Sequence, residues 1–261
     1  MSPLELYKKL PRKNCGKCAQ KACMPFALAV ISGDADAGEC PCLSEEGAEE
    51  IRGSLSRSAQ PDWREELILK LREEVGKIHF EEIAADLGGT LRGDSLILNC
   101  LGREFSITPR GEISTRGHLT PWMKILLLHY IRTSGKGNLT GKWISYGEMK
   151  CGMVKASAFQ REAEDPLREL FDRDTARVAA VMEKLGAGRR DDFPTGHAWL
   201  LFLLPKMPVV ILYWPPEEEF PSKVKVLFDS TADRFLDVES IIFLVEGLIK
   251  NIENNLFLDK E

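Results

Sequence analysis

The feature that most limits what this chain can be is a cluster of cysteines near its start. Five of its seven cysteines, Cys15, Cys18, Cys23, Cys40 and Cys42, fall within the first 42 of 261 residues. Their spacing is C-x2-C-x4-C-x16-C, with one further cysteine two residues on. A Cys-x-x-Cys pair lets two thiolates leave one tight turn toward a common metal centre. The glycine inside it, Gly16, lets the backbone curl so that amide N–H groups point at sulfur. A third thiolate five residues later stays on the same local loop. The fourth must return from a distance, and the apolar Met24–Ser32 stretch predicts one helix that spans the gap and ends at Gly33. Three close thiolates, one remote and a following proline make an iron–sulfur pattern, because such clusters take four cysteine ligands. Zinc is the alternative: Cys15, Cys18, Cys40 and Cys42 could form a tetrahedral all-thiolate site with Cys23 left over. Zinc pairs usually enclose two to four residues, however, whereas only Pro41 separates Cys40 from Cys42. Cys42 is therefore expected outside the ligand set, as a nearby thiol or as a substitute for one ligand.

The wider composition sets the context for that cluster. Hydrophobic residues make up 44% and charged residues 29%, enough for a core and a solvated surface, which excludes disorder and low-complexity chains. Lys and Arg total 35 against 40 Asp and Glu, a net charge of −5, which argues against a nucleic-acid partner. The first residues carry no apolar secretory segment. The longest apolar run, His197–Trp214, is broken by Pro205, Lys206 and Pro208, so it predicts a buried hairpin and no membrane span. The expected location is cytoplasmic, where thiols stay reduced and clustered cysteines serve metals more often than disulfides.

Three segments are expected: a cysteine-rich unit at 1–45, a linker or short helix at 46–61, and a larger domain at 62–261. The first unit swings from basic (Lys8, Lys9, Arg12, Lys13, Lys17, Lys21) to acidic over residues 34–50, most simply two solvated faces. Beyond it, Asp62 is placed to cap a helix from Trp63 to about Leu87, stopped by Gly88-Gly89. Strands follow at Ser95–Leu101 and Glu104–Thr108 around a Gly102-Arg103 turn. Thr120-Pro121 opens a helix through Tyr130, and Asp165-Pro166 opens another to about Leu185. Strands at Ala198–Leu204, Val209–Trp214 and Lys223–Asp229 precede a final helix capped by Asp237 and running to about Asn254. Consecutive strands on short turns mean an antiparallel sheet packed with helices, an α+β fold.

Two resemblances add to this reading. Leu10-Pro11, Asn14-Cys15-Gly16, Cys18, Cys23-Met24, Phe26-Ala27, Gly33 and Cys40-Pro41 resemble the four-cysteine [4Fe–4S] domain of the corrinoid/iron–sulfur protein large-subunit family. The resemblance implies Cys15, Cys18, Cys23 and Cys40 as ligands and a low-potential cluster that passes single electrons. The chain departs from that family at Ala19, usually glycine, and at Cys42, usually another residue. No corrinoid-binding Asp-x-His-x-x-Gly follows. Instead Leu87-Gly88-Gly89, Trp143–Glu148, Leu204–Val209, Trp214, Glu218–Pro221 and Leu227–Ser230 resemble the DUF3786 family, whose function is unknown.

The other reactive residues have bland explanations. His79, His118, His129 and His197 show no metal spacing. Cys100 and Cys151 are expected as small buried hydrophobes. Glu217–Glu219 reads as an exposed hairpin tip, and Asp229, Asp233 and Asp237 as turn and capping residues. Ser134–Gly137 lacks the frame of a phosphate loop. Trp143 and Trp214 could flank a planar ligand. The expected role is one-electron transfer to a redox protein partner or a corrinoid-type ligand, as an accessory protein more than an enzyme. A non-redox binding module around a structural zinc or iron–sulfur knot is the alternative.

Overall fold

The computed structural model describes residues 3–18, 20, 22–32, 35–58 and 63–258. Ala19, Lys21, Gly33 and the cap assigned to Asp62 lie outside the described residues. The chain divides into two compact units, Met1–Trp63 and Arg64–Glu261.

The first unit is built from α1 (Pro3–Lys9), α2 (Cys23–Ser32) and α3 (Glu45–Ser58), with a short 3-10 turn at Ala37–Glu39. Its core is small: Leu6, Leu10, Phe26, Ala27, Val30, Ala37, Ala48 and Ile51, together with the buried thiols Cys23 and Cys40. Residues 46–58, expected as a linker or short helix, are the body of α3. Its polar composition hides the reason, which is one apolar residue per turn: Ala48 and Ile51 are buried and Leu55 packs partly against the same core. Ion pairs hold α3 in place from outside, Lys9 Nζ to Glu50 at 2.8 Å and Arg52 Nε to Asp36 at 2.9 Å. The Arg52 guanidinium and the Gly38 N–H hold the Asp36 carboxyl down at about 2.

The second unit is α+β, as expected, but its strands form two antiparallel sheets. A meander of β1 (Thr90–Arg92), β2 (Ser95–Cys100), β3 (Arg103–Ile107) and β4 (Ile113–Thr115) makes the first. The second contains β5 (Trp143–Ser145), β6 (Gly188–Arg189), β7 (His197–Leu204), β8 (Met207–Trp214) and β9 (Lys223–Asp229) in the order β5-β9-β8-β7-β6. The helices are α4 (Trp63–Val75), α5 (Phe80–Ile83), α6 (Pro121–Thr133), α7 (Gly152–Phe159), α8 (Asp165–Lys184) and α9 (Val238–Leu258). The β7–β8 hairpin lies at the centre, and seven of the eight residues of β8 are buried. No helix among the described residues is long and apolar enough to cross a membrane.

Caps behave as their sequences predict. Thr120 Oγ1 accepts the Met123 N–H at 3.2 Å, and the Asp237 carboxylate accepts the Ser240 N–H at 2.9 Å. Three boundaries differ from expectation. The helix from Trp63 stops at Val75, ahead of the helix-weakening Gly76, and a separate turn at Phe80–Ile83 buries Phe80 and Ile83. The β2–β3 turn is Leu101-Gly102 because a two-residue hairpin of this kind needs two left-handed residues, and these have φ of 50° and 75°. Helix α8 is kinked at Asp174, whose carboxylate accepts the Arg177 N–H at 3.0 Å and so caps the second half.

Candidate metal centre

The loop carrying the first cysteines follows the Leu10-Pro11 exit from α1. Leu10 is buried and its N–H closes the helix on the Leu6 carbonyl. Beyond Pro11 the backbone enters the left-handed region at Arg12 (φ 55°), Asn14 (φ 46°) and Gly16 (φ 64°). Alternating left-handed residues turn successive N–H groups into a concave, anion-accepting surface. The Asn14 side-chain carbonyl accepts the Cys23 N–H at 2.9 Å, tying the start of the loop to the first residue of α2. The Asn-Cys-Gly sequence thus has a mechanical reading: asparagine latches, and glycine bends.

The thiols sit at different depths. Cys23 and Cys40 are buried, Cys18 and Cys42 half-buried, and Cys15 exposed; all are free. Cys15 Sγ and Cys42 Sγ are in contact at 3.8 Å, and Cys18 Sγ lies 3.5 Å from the Gln20 carbonyl oxygen. A hydrogen bond from the Lys17 backbone, with the Cys42 thiol beside it, holds the Cys15 thiol below its ordinary pKa. Cys42 is pushed up, first by its hydrogen bond with Cys15 and then by desolvation and the neighbouring sulfurs. The loop geometry therefore favours thiolate at Cys15, the form that binds metal. Among the described residues, no three His, Cys, Asp or Glu side chains converge on a point that could hold a single ion. In donor chemistry the unit fits an iron–sulfur group: four free thiols in or against its small core and a fifth, Cys15, exposed beside them with backbone N–H groups turned toward it.

The second unit explains the residues that carry the DUF3786 resemblance. Gly88 lies against the β7–β8 turn, where a side chain would come 2.7 Å from Pro205 Cβ, and Gly89 lies against β2, where one would come 2.9 Å from the Ile97 carbonyl oxygen. The Tyr130 hydroxyl locks this contact, donating to the Leu87 carbonyl at 2.8 Å and accepting the Lys206 N–H at 3.1 Å. Asp229, nearly fully buried, accepts N–H bonds from Thr140, Gly141 and Thr231, and so fixes the entry to β5 beside β9. Burial pushes its carboxyl upward, but these hydrogen bonds outweigh that and keep it below its usual value.

A cleft of about 470 Å³ opens beside β5, lined by Ser145, Tyr146, Phe159, Gln160, Arg161 and Lys225 among others. Its wall contains a π-helical turn, Gln160–Glu164. This turn aims the buried Glu164 carboxylate at Lys225 Nζ (2.7 Å) and at the Val226 N–H (3.1 Å), satisfying an edge of β9 that β5 does not reach. Nothing in the sequence pattern of residues 152–164 points to this turn. An acidic residue between two helical segments carries no periodic signal that would mark it as buried.

Several candidates fall elsewhere. Cys100 is buried beside Met123, as expected, and desolvation pushes its thiol up to about 12. Cys151 is exposed, correcting its assignment to the core: it occupies a left-handed turn (φ 64°) ahead of α7 that points it outward. Trp143 and Trp214 do not face each other. They pair with opposite ends of β9, Asp229 and Lys223, about 20 Å apart along a seven-residue strand. The four histidines remain dispersed, with His129 Nδ1 3.6 Å from Asp237 Oδ2. Glu217–Glu219 is an exposed tip closed by the Glu217–Phe220 bridge.

Comparison with known proteins divides the chain in the same sense. Residues 10–42 match a family model for an Fe-S cluster. The corrinoid/iron-sulfur protein large subunit of Moorella thermoacetica is 41% identical over 51 residues, covering 20% of this chain and 11% of that protein. An acetyl-CoA decarbonylase/synthase complex subunit gamma 2 of Methanosarcina mazei is 49% identical over 45 residues, 17% of this chain and 10% of its own length. One subunit of the ion-translocating oxidoreductase complex of Azoarcus sp. is 38% identical over 52 residues, 20% of this chain and 28% of that one. The shared segment is thus a small part of each relative, and no solved structure matches the chain. The N-terminal unit is an iron–sulfur domain. Residues 79–251, about two thirds of the sequence, match the model for a domain of unknown function (DUF3786), and the chain belongs to that family.

Proposed function

We propose that this protein passes single electrons through a low-potential [4Fe–4S] cluster held by Cys15, Cys18, Cys23 and Cys40. On this reading residues 1–45 are the redox domain and residues 62–261 engage the molecule served, a redox protein partner or a corrinoid-type ligand. The protein would work in the cytoplasm of an anaerobe as an accessory electron carrier. The observation that carries the proposal is the match over residues 10–42, read with the loop in which Asn14 latches Cys23 and the Lys17 N–H meets Cys15. The relatives support a protein partner, since two of those compared are named as subunits of complexes. The cluster's chemistry would be one-electron transfer at four thiolate-bound irons. Around it, the chain's own residues hold the thiolates, turn N–H groups toward sulfur and place the Lys13 and Lys17 charges nearby.

A specific observation also favours the zinc reading. Two thiolates on one tetrahedral ion at about 2.3 Å lie roughly 3.8 Å apart, the spacing seen between Cys15 and Cys42. Anaerobic purification of the full chain separates the two. The cluster reading expects a brown protein with about four irons per chain and an EPR signal on reduction. It also expects iron to be lost in the Cys15→Ser, Cys18→Ser, Cys23→Ser and Cys40→Ser variants but kept in Cys42→Ser. A colourless protein with one zinc, lost in Cys42→Ser, would overturn it.

A further inference from the structure

Cys42 is the thiol that the cluster reading leaves without a task, yet it touches the ligand that is most exposed. Cys15 and Cys42 are 27 residues apart in sequence and in contact at 3.8 Å. The remaining thiols of the unit are placed differently. Cys23 is 6% and Cys40 5% exposed, and Cys18 is directed at a backbone carbonyl. The two residues flanking Pro41 therefore diverge: Cys40 turns into the core and Cys42 turns out toward Cys15. Closing the pair to a disulfide length of about 2.05 Å requires sulfur movement of under about 2 Å. Cys15 lies between left-handed Asn14 and Gly16 on the loop, and Cys15 itself is exposed and outside the small core.

We infer that Cys15 and Cys42 form a reversible disulfide in the cluster-free chain, and that this bond withdraws Cys15 from cluster binding until it is reduced. The inference rests on Cys15 being a ligand. The oxidant is a low-molecular-weight disulfide of the glutathione class. One protein thiolate attacks its S–S bond, forming a mixed disulfide and releasing one small thiol. The second protein thiolate then attacks the protein sulfur of that mixed disulfide and releases the other small thiol. Two protein thiols are oxidised with loss of two protons, and one small disulfide is reduced by two electrons to two thiols. A dithiol reductant runs the exchange backward. Cys42 thus serves as the guard of Cys15: an empty site in an oxidising interval stores its exposed thiol as a disulfide and avoids over-oxidation to the irreversible acids.

The test uses the full chain, stripped of metal, reduced, and then held with oxidised glutathione without air. Non-reduced peptide mass mapping should find a Cys15–Cys42 cross-link, with Cys18, Cys23 and Cys40 still alkylated as free thiols. Iron and sulfide uptake should fall at least tenfold and return on reduction. The reduced Cys42→Ser variant should take up iron as the parent does, and after glutathione treatment it should carry a glutathione adduct and no cross-link. A cross-link to another cysteine, two freely alkylated thiols at 15 and 42, or loss of iron uptake in reduced Cys42→Ser would overturn the inference. Failure of the reduced parent to take up iron would instead sink the cluster reading, and with it the gating clause, while the cross-link map would still report on the pair.

Discussion

Replacing Asp229 with alanine tests how the C-terminal unit holds its family-matched segments together. The carboxylate is 1% exposed and accepts three backbone N–H bonds, from Gly141 at 2.7 Å, Thr140 at 2.9 Å and Thr231 at 3.0 Å. Two hydroxyls, Thr231 Oγ1 and Thr140 Oγ1, complete the set at 2.7 and 3.1 Å. Alanine leaves three amide donors without partners, whereas the hydroxyls can turn elsewhere. An unsatisfied buried donor costs about 1–3 kcal/mol, so a loss of about 4 kcal/mol is expected with partial relaxation. For a unit of this size that lowers Tm by roughly 10 °C. Asparagine is isosteric and can keep its oxygen toward Thr140 and Gly141, orphaning only the Thr231 N–H, so Asp229→Asn should cost about 1–2 kcal/mol. Urea unfolding followed by tryptophan fluorescence reads this unit well, because four of the five tryptophans lie in it. The folded pKa of Asp229 is depressed, so its contribution is complete above the unfolded value of about 4 and is lost as pH falls through the folded value. That acid-dependent portion should vanish in Asp229→Asn. A loss below about 1 kcal/mol for alanine, or equal losses for the two variants, would refute the account.

Two further outcomes follow from the second unit. In the native chain iodoacetamide should label the exposed Cys151 and spare Cys100, whose burial pushes its thiol up to about 12; equal labelling rates in a peptide map would contradict that placement. Gly152→Ala would set a methyl 2.0 Å from the Tyr146 carbonyl oxygen and should cost about 2 kcal/mol or more, whereas Gly188→Ala meets nothing within 4 Å and should be near neutral in the same denaturation assay.

What the sequence made legible, and what it hid, follows from how each element gains its stability. The β7–β8 hairpin announced itself because apolar runs broken by Pro205-Lys206 leave no other way to bury them. Thr120 and Asp237 are caps that work through local hydrogen bonds, so the residues alone suffice. Whether α3 was a helix or a linker stayed open because its burial needs only Ala48, Ile51 and Leu55 among charges. The strands β1, β4, β5 and β6 have two or three residues each, too short for any alternation to register, and they exist because a longer neighbour offers its edge. At the candidate metal centre, spacing pointed to the four thiols and to Cys42 as their neighbour. The contact between Cys42 and Cys15 depends on how Pro41 splits two side chains between core and surface, which spacing does not encode.

The connectivity of the five-stranded sheet sets an order in which its strands can be lost. Strands β7, β8 and β9 succeed one another along the chain and can zip locally. Strand β5 reaches β9 only after the 77 residues between them, 146–222, have been brought round, and it then holds by three paired positions at an outer edge. Such a strand closes late and opens early. Its amides should lose protection from hydrogen exchange well before those of β8. Because β5 leads into one wall of the cleft that also contains the π-helical turn, the mouth of that cleft opens once the Asp229 bonds at the entry to β5 are released, while the hairpin beneath it stays closed.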